Sequence, residues 1–363
     1  MIDRRPFRDI DWVLVGLILA NTLVGIVFIY SSSHFLPGGY FMRQIVWMIV
    51  SLVILILFLA VDYKTLVAYS LYFYLTIVAI LVGMLFFARF VAHTKSWITF
   101  RFFQIQPSEL AKIAVILILA RVFSEYKKNY LISHVALTSI WLVLCPVLLI
   151  AAQPDLGTAM TFVPILLGAF ILAGLRKKAV ILFLLAALVL GVAGWNFGLR
   201  DYQKRRLTTL FNPGQDPRGA GYHILQSKIA IGSGGLAGKG FGKGSQSQLR
   251  FLPARHTDFI FSVIGEETGF IGVFVVMILY LAMLARMFLS VNMARDRAGV
   301  YIIFMASMLI AFQFFVNVLM IIGLFPVTGV PLPFLSYGGS SLLSNILAAG
   351  LVLNVRMRRF VNA

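Results

Sequence analysis

The residues best suited to catalysis lie in the stretch RFLPARHTDFIFSVIGEETG, residues 250–269. Asp258 stands in it where a polar, basic segment meets an apolar run, and a carboxylate at the edge of a membrane is costly unless it has a function. Asp258 could act as a general base, or it could only cap the helix that follows, a role that stabilises by about 1 kcal/mol. His256 is a second candidate base, with an exposed loop histidine as the plain alternative.

The helix predicted after Asp258 has a small-residue face. At about 100° per residue, the residues on the side of Asp258 are Phe261, Ser262, Gly265, Gly269 and Gly272. Small residues allow another backbone, or a substrate, to approach closely. Glu266 and Glu267 follow in the same predicted helix, and we expect one of them to be paired inside the protein.

Two further acids are candidates for the site. Glu109 and Lys112 are spaced i, i+3, so they can pair on one helix face. We interpret them mainly as a structural ion pair, with a cavity wall near substrate as the alternative. Asp155 lies in the turn 153–158, and it is either an ordinary turn residue or a site residue.

Several cations could bind an anionic ligand. Lys239 and Lys243 lie in the segment GSGGLAGKGFGKG, residues 232–244, whose seven glycines exclude regular structure and could cradle a phosphate. The same segment weakly matches a dinucleotide fingerprint, a match that we discard because no strand precedes it and the loop is expected outside the cell, and it is not a Walker A motif. Arg43 and Arg101 could contact phosphate or extend to lipid headgroups. Residues 337–341, YGGSS, are either a phosphate nest at a helix start or a tight connection.

The composition is that of a polytopic membrane protein. Of 363 residues, 60% are hydrophobic and 12% are charged, and the mean hydropathy is +0.94. The net charge of +18 does not indicate a nucleic-acid partner, because no segment alternates bases with exposed aromatics. The single cysteine, Cys145, excludes an intrachain disulfide and a thiolate metal site. The first apolar segment predicts a retained anchor rather than a signal peptide.

Ten apolar segments are long enough to cross a bilayer at about 20 residues each. They are residues 12–31, 43–61, 66–90, 108–123, 134–152, 157–174, 179–196, 258–286, 298–324 and 340–356. The fold class is therefore an all-α polytopic membrane protein of ten helices, a single domain over residues 1–363. A large extracytoplasmic loop, about 199–257, separates helices 7 and 8.

The short loops determine the orientation, because cytoplasmic loops carry an excess of Lys and Arg. With ten helices, these basic clusters fall on one side: Arg4, Arg5 and Arg8; Lys64; Arg121, Lys127 and Lys128; Arg176, Lys177 and Lys178; Arg286, Arg295 and Arg297; and Arg356, Arg358 and Arg359. Both termini are thus expected in the cytoplasm. The opposite face holds residues 93–106, 153–158, 199–257 and 325–341. The large loop is also basic, which indicates an anionic partner on that side.

Within the large loop, residues 222–232 have helical apolar spacing. Ile224, Leu225, Ile229 and Ile231 would form a lipid-facing stripe, so we expect a short helix in the membrane interface.

Five separated motifs resemble one family. They are RFLPARHTDFIFSVIGEETG, GKGFGKGSQSQLRFLP, FQIQPSELAK, QPDLGTA and PVTGVPLPFLSYGGSS, and they look like the signature segments of the SEDS (shape, elongation, division, sporulation) family. The resemblance covers essentially the whole chain, and residues 246–249 are more similar to the elongation branch than to the division branch. One departure is Ala254, where the family pattern has an acid, so this position cannot be catalytic here.

The resemblance implies a peptidoglycan glycosyltransferase in the bacterial cytoplasmic membrane, polymerising lipid II on its outer face. The GlcNAc 4-hydroxyl of one lipid II would attack the anomeric carbon of another chain's terminal MurNAc, with Asp258 as general base and undecaprenyl pyrophosphate leaving with inversion. Cations, and a divalent Mg²⁺ or Mn²⁺ if one is used, would neutralise the leaving diphosphate. The expected substrate-binding residues are Arg43, Arg101, Lys112, Asp155, Lys239, Lys243 and His256.

The implied partners are a class B penicillin-binding protein and other membrane proteins of the elongation machinery. Two alternatives stay open: a division-type polymerase, and a transporter that flips lipid II. A transporter should show inverted repeats and broken helices with charges near the midplane. The sequence has no convincing repeat and its candidate acids cluster at one surface, which favours the enzyme.

Overall fold

The computed structural model describes residues 9–33, 38–88, 94–99, 103–126, 133–174, 201–211, 219–249, 251–252 and 254–359. These residues are mostly helical. In chain order the helices before the large loop are α1 (Trp12–Ser33), α2 (Tyr40–Ala60), α3 (Tyr63–Ala68), α4 (Ser70–Phe87), α5 (Pro107–Ser124), α6 (Ser133–Ala152), α7 (Leu156–Met160) and α8 (Val163–Leu172). The later helices are α9 (Asp201–Phe211), α10 (Ala220–Gly234), α11 (Ser245–Gln248), α12 (Ile260–Leu289), α13 (Arg297–Ile321) and α14 (Gly339–Met357). A 3₁₀ turn, Ser290–Met293, follows α12, and a two-stranded antiparallel sheet pairs β1 (Ile98–Thr99) with β2 (Gln104–Ile105).

Nine of the ten predicted apolar segments coincide with described helices, and the tenth, residues 179–196, lies outside the described residues. Seven of the described helices are long and apolar enough to cross a membrane. Two predicted spans are divided: residues 66–90 into the end of α3 and α4, and residues 157–174 into α7 and α8. A mostly helical membrane protein is therefore the architecture that the described residues support.

Three helices form the centre of the protein. Within the most apolar window of each helix, α14 is 89% and α13 is 67% buried, whereas α2 is 22% buried. Helix α5 is buried on nearly every face, although it carries Glu109 and Lys112. The outer helices α1, α2, α4, α6 and α12 instead expose large apolar side chains, as expected of surfaces that face lipid.

The described basic clusters, which the excess of Lys and Arg in short loops predicts on one side of the membrane, lie at one end of the protein. Asp11, before α1, accepts hydrogen bonds from Arg286 at 2.9 and 3.2 Å and also pairs with Arg356. The other contacts at this end are Arg358–Asp62 (3.4 Å), Lys64–Asp296 (3.9 Å) and Arg121 to the Ala68 carbonyl (3.1 Å). Basic residues from four separated parts of the chain thus meet at one end. The clusters at Arg4–Arg8, Lys127–Lys128 and Arg176–Lys178 lie outside the described residues.

Helix α12 is not the single continuous helix that the sequence predicts. Gly269 has φ 64° and ψ −160°, which breaks the helix into residues 260–268 and 270–289. Its φ lies in the left-handed region that glycine adopts without strain. The second part has about 20 residues, or ~30 Å, and is long enough to span a bilayer alone. The first part, which carries Glu266 and Glu267, is therefore not needed to span the bilayer.

The helix predicted over residues 222–232 is confirmed as α10, but its apolar stripe is partly wrong. Ile224 is only 2% exposed, whereas Leu225 and Ile229 are 52% and 41% exposed. Ile224 is buried because α10 packs along the first part of α12. A Cβ added to Gly234 would collide with the Gly265 carbonyl, and the hydroxyls of Ser227 and Ser262 are 2.8 Å apart. The small face of α12 thus admits a backbone, namely that of α10.

Candidate active site

Asp258 lies in a turn at the end of the protein opposite the basic clusters. The turn, residues 254–259, is closed by hydrogen bonds from the Thr257 and Phe259 N–H groups to the Ala254 carbonyl, at 3.1 and 3.3 Å. Ala254 has φ 47°, a left-handed conformation that residues other than glycine adopt only at a cost. The turn places Asp258 half-buried just before α12.

Three consecutive main-chain carbonyls hold this turn in place. Tyr337 N–H donates to the His256 carbonyl at 2.9 Å, and the Ser336 hydroxyl donates to the Thr257 carbonyl at 2.6 Å. Asn317 Nδ2, on α13, donates to the carbonyls of Asp258 (3.0 Å) and Val330 (2.9 Å). The segment that carries the acid is therefore fixed to α13 and to the loop 325–338, and sequence analysis missed Asn317 in this role.

The loop 325–338 also joins Asp258 to the turn that carries Asp155. A Cβ on Gly329 would be 3.7 Å from Asp258 Oδ2, and a Cβ on Gly157 would collide with the Thr328 carbonyl. Asp155 caps α7 by accepting from the Thr158 N–H at 3.2 Å, and it accepts from Gln106 Nε2 at 2.7 Å. The structure thus brings Asp155 to the same end as Asp258, on the other side of residues 328–330.

The electrostatics of the turn separate its two candidate bases. Burial raises the pKa of Asp258 to about 6, while the positive charge of Arg206 on α9 and a hydrogen bond with Thr257 act in the opposite direction. Burial, with a smaller contribution from Arg255, lowers the pKa of His256 to about 4. A general base works best with a pKa near the working pH, so Asp258 is the better base. From the sequence alone, Arg206 is only one of many cations in the large loop, residues 199–257.

Glu109 and Lys112 form the ion pair that their spacing predicts. Lys112 Nζ is 2.7 Å from Glu109 Oε2, and the two side chains are 0% and 4% exposed. The Ser344 hydroxyl donates to the Glu109 carbonyl at 2.9 Å, which links the pair to α14. Because Lys112 has no exposed surface, its role in binding substrate stays a prediction, and the structural interpretation is the one with direct geometric support.

Glu266 and Glu267 are both buried, with different partners. Glu266 pairs with Lys239 at 2.7 Å and accepts from the N–H groups of Gln246 and Ser247. The Ser31 hydroxyl donates to the Glu267 carboxylate, whose two oxygens lie 2.6 and 2.7 Å from Ser31 Oγ. The acid paired with a lysine is therefore Glu266, and the Lys239 ammonium is already held by it.

The glycine segment 232–244 differs from the expected phosphate cradle. Gly232 and Gly234 belong to α10, so the segment is not wholly irregular. The N–H groups of Lys239 and Gly240 donate to the carbonyls of Glu266 and Glu267, at 3.0 and 2.9 Å. Residues 235–236 accept in return from the N–H groups of Phe270 and Ile271. The glycines thus let this loop pair with the broken part of α12.

The remaining predicted cations have different outcomes. Lys243 is exposed, and Arg43 is exposed in the first turn of α2, where its positive charge acts on the Tyr337 hydroxyl. Arg101 lies outside the described residues.

The N–H groups of Tyr337 and Gly338 are bound by the His256 carbonyl and by Gln44 Oε1, so residues 337–341 form a tight connection. The described residues contain no group of three or more His, Cys, Asp or Glu suited to a metal, and a divalent cation stays a prediction.

Comparisons with known proteins agree with this arrangement. The profile of the FtsW/RodA/SpoVE cell cycle proteins matches residues 11–360. The chain is 37% identical to the peptidoglycan glycosyltransferase MrdB of Escherichia coli K12, over 98% of this chain and 97% of that protein. Two solved structures share the fold over 97% of this chain and 98% of theirs. One, from work on how a peptidoglycan synthase complex coordinates polymerization and crosslinking, has TM-score 0.82 and 29% identity. The other, Thermus thermophilus RodA, has TM-score 0.73 and 28% identity.

Proposed function

The chain belongs to the FtsW/RodA/SpoVE family of cell cycle proteins, and from that premise we propose that it is a peptidoglycan glycosyltransferase. It polymerises lipid II into glycan strands at the outer face of the cytoplasmic membrane during cell elongation. The matches to MrdB and RodA favour this elongation role over the division-type alternative.

The observation that carries the proposal is the placement of Asp258. Its carboxylate is half-buried at the end of the protein where polar loops meet, and its pKa is about 6, so it is ionised and basic at neutral pH. Asp258 takes the proton from the GlcNAc 4-hydroxyl as that oxygen bonds to the anomeric carbon of the growing chain. The bond from that carbon to the diphosphate breaks with inversion. Such a base contributes about 10²–10⁴-fold in rate.

Cations near this turn stabilise the leaving diphosphate. Arg206 acts on Asp258 from α9, and Arg43 and Lys243 are exposed at the same end. Positive groups aimed at a developing negative charge are among the largest contributions to catalysis. A divalent cation, if one is bound, would be held by Asp258 and would supply further positive charge to the leaving diphosphate.

The orientation proposed for the protein follows from its two ends. The end with the basic clusters faces the cytoplasm, in agreement with the charge rule, and the end with Asp258 faces outward. Both termini are then cytoplasmic. The partner proposed for the chain is a class B penicillin-binding protein, because the similar solved structure comes from work on a complex that coordinates polymerization with crosslinking. Other elongation-machinery membrane proteins are further partners.

The transporter alternative gains one feature from the structure. The sequence argument against it rested on the lack of a repeat and on acids at one surface, but α12 is broken at Gly269 with two acids beside the break, as in many transporters. These acids, however, are occupied by Lys239, Ser31 and loop N–H groups. They form a closed contact within the protein, so the break supports packing of α10 and its loop.

One experiment separates the two functions. The purified chain, with its penicillin-binding partner, is given fluorescent lipid II in detergent and in vesicles. The proposal predicts products of increasing chain length on a gel. Transport predicts that lipid II changes leaflet in vesicles with no increase in chain length, and that result would overturn the proposal.

A further inference from the structure

One face of α2 is directed at the segment that holds Asp258. Tyr40, Arg43, Gln44 and Trp47 follow the i, i+3, i+4, i+7 spacing of a single helix face. Buried Gln44 donates to the Ser336 carbonyl at 3.3 Å and accepts from the Gly338 N–H at 3.2 Å. The Trp47 ring lies against Gly339, where a Cβ would collide with it. Gln44 and Trp47 therefore fix residues 336–339, the first by hydrogen bonds and the second by packing.

Tyr40, at the start of the same helix face, joins His256 and Tyr337 in an aromatic cluster beside Asp258. The Tyr40 ring centroid is 4.5 Å from that of His256 and 5.1 Å from that of Tyr337, with the two tyrosine rings nearly perpendicular. His256 and Tyr337 are 5.7 Å apart. All three rings are partly exposed, and the positive charge of Arg43 acts on the Tyr337 hydroxyl. The cluster thus presents aromatic surface to solvent two residues from Asp258.

We propose that Tyr40, Tyr337 and His256 form a platform on which an N-acetylated pyranose ring of the substrate stacks, next to Asp258, with Arg43 at the edge of the platform. This inference rests on the proposed function and names the surface that orients its sugar. The faces of aromatic rings carry negative potential, and the C–H bonds on one face of a pyranose present positive potential to them.

Two features distinguish a sugar platform from simple packing. Packing is already supplied by Gln44, which is fully buried on the same helix face, whereas the three rings retain exposed surface. The platform also carries no charge at neutral pH, because the imidazole of His256 is neutral there. A neutral aromatic surface suits an uncharged sugar, and the cations around it are left for the diphosphate.

The test compares Tyr40→Leu with Tyr40→Phe, using Tyr72→Leu as the matched control. Tyr72 is 68% exposed on the outer helix α4. Two quantities are measured for the purified chain with its partner: KM and kcat for lipid II, and binding of soluble GlcNAc–MurNAc disaccharide by saturation-transfer NMR. Losing the ring is expected to raise KM and weaken disaccharide binding by about fivefold to tenfold, with kcat within about twofold. Tyr40→Phe and Tyr72→Leu should stay within about twofold of wild type.

Unchanged KM and disaccharide binding in Tyr40→Leu would overturn the platform, as would equal losses in Tyr40→Phe. If Tyr40→Leu does not fold, Tyr40→Trp decides, because the disaccharide should change the fluorescence of the new indole and no change contradicts the proposal. Disaccharide binding does not depend on polymerisation. A chain that binds the disaccharide through Tyr40 but makes no glycan would contradict the proposed function and leave the platform supported.

Discussion

At the level of single residues, catalysis depends on how a carboxylate is kept both reactive and fixed. Asp258 is half-buried, and its main chain is fixed by Asn317 and, through the neighbouring carbonyls, by Ser336 and Tyr337. A base held in this way loses no freedom when substrate arrives. The sequence motif identified Asp258 and His256. It could not identify Asn317, Arg206 or Tyr40, because each comes from a distant part of the chain and only the folded structure brings them together.

The raised pKa of Asp258 makes the reaction sensitive to pH. Burial raises this pKa to about 6, so the basic form is lost as the pH falls through 6. We expect kcat/KM for lipid II to rise with a slope of one to about pH 6 and to level off above it. Because the pKa of His256 is about 4, that histidine adds no transition between pH 5 and 8. A rate independent of pH from 5 to 8 would contradict Asp258 as the base.

Replacing Arg206 should move this transition in a defined direction. The positive charge of Arg206 lowers the pKa of Asp258, so Arg206→Gln is expected to raise that pKa and to shift the rise in kcat/KM to higher pH. The variant should therefore lose more activity at pH 6 than at pH 8. Lys204→Gln, on the same helix, serves as the matched control. A shift to lower pH, or an equal shift in the control, would show that Arg206 does not act on the carboxylate.

Asn317 should be important for both stability and rate. Asn317→Leu leaves the carbonyls of Asp258 and Val330 without their donor, which costs about 1–3 kcal/mol in unfolding free energy. Misplacement of Asp258 is expected to lower kcat by about 10-fold to 100-fold, with the pH transition still near 6. Thermal melting and polymerisation kinetics measure these effects. Gln313→Leu, one turn earlier on α13, is the control, and equal kinetic loss there would remove the special role of Asn317.

For the helices, the sequence predicted where they lie better than whether each one is continuous. Apolar length predicted nine segments that coincide with described helices, because burial and lipid exposure both require apolar residues. It could not locate the break at Gly269, because neither this glycine nor the two acids before it exclude a continuous helix. It also misjudged Ile224, because a helix that lies on another helix and one that lies on lipid have the same apolar spacing. The contact between α10 and α12 decides between them.

Substituting two glycines of α10 tests the contact between α10 and α12. A Cβ on Gly234 would collide with the Gly265 carbonyl, whereas Gly232 has open space around it. Gly234→Ala is therefore expected to lower the melting temperature and the polymerisation rate by separating α10 from α12. Gly232→Ala should be neutral or stabilising by up to about 1 kcal/mol, because alanine is the better helix former. Equal melting temperatures for the two variants would contradict the close packing.

At the scale of the whole molecule, the two ends have different chemistry. Ion pairs among Asp11, Arg286, Arg356, Asp62 and Arg358 close one end. The other end holds Asp155, Asp258, Lys243 and the broken helix. The sequence predicted this sidedness from Lys and Arg counts alone, because the rule depends on composition and not on packing. Its count of ten helices depends in part on residues 179–196, which lie outside the described residues.

Labelling of single cysteines tests the orientation. In a Cys145→Ala background, Lys243→Cys should react with a membrane-impermeant maleimide in intact cells whose outer barriers have been removed. Lys64→Cys, whose position is 49% exposed at the opposite end, should react only after the membrane is opened. The reverse pattern would place Asp258 in the cytoplasm, away from the proposed site of polymerisation.

The most direct test of the central claim is the rate of glycan synthesis by Asp258→Asn. The asparagine keeps the size of the side chain and removes its basicity. The variant should elute and melt like wild type and bind its partner, yet polymerise fluorescent lipid II about 10²–10⁴-fold more slowly at pH 7.5. A folded Asp258→Asn protein that makes glycan at a near-normal rate would contradict the account.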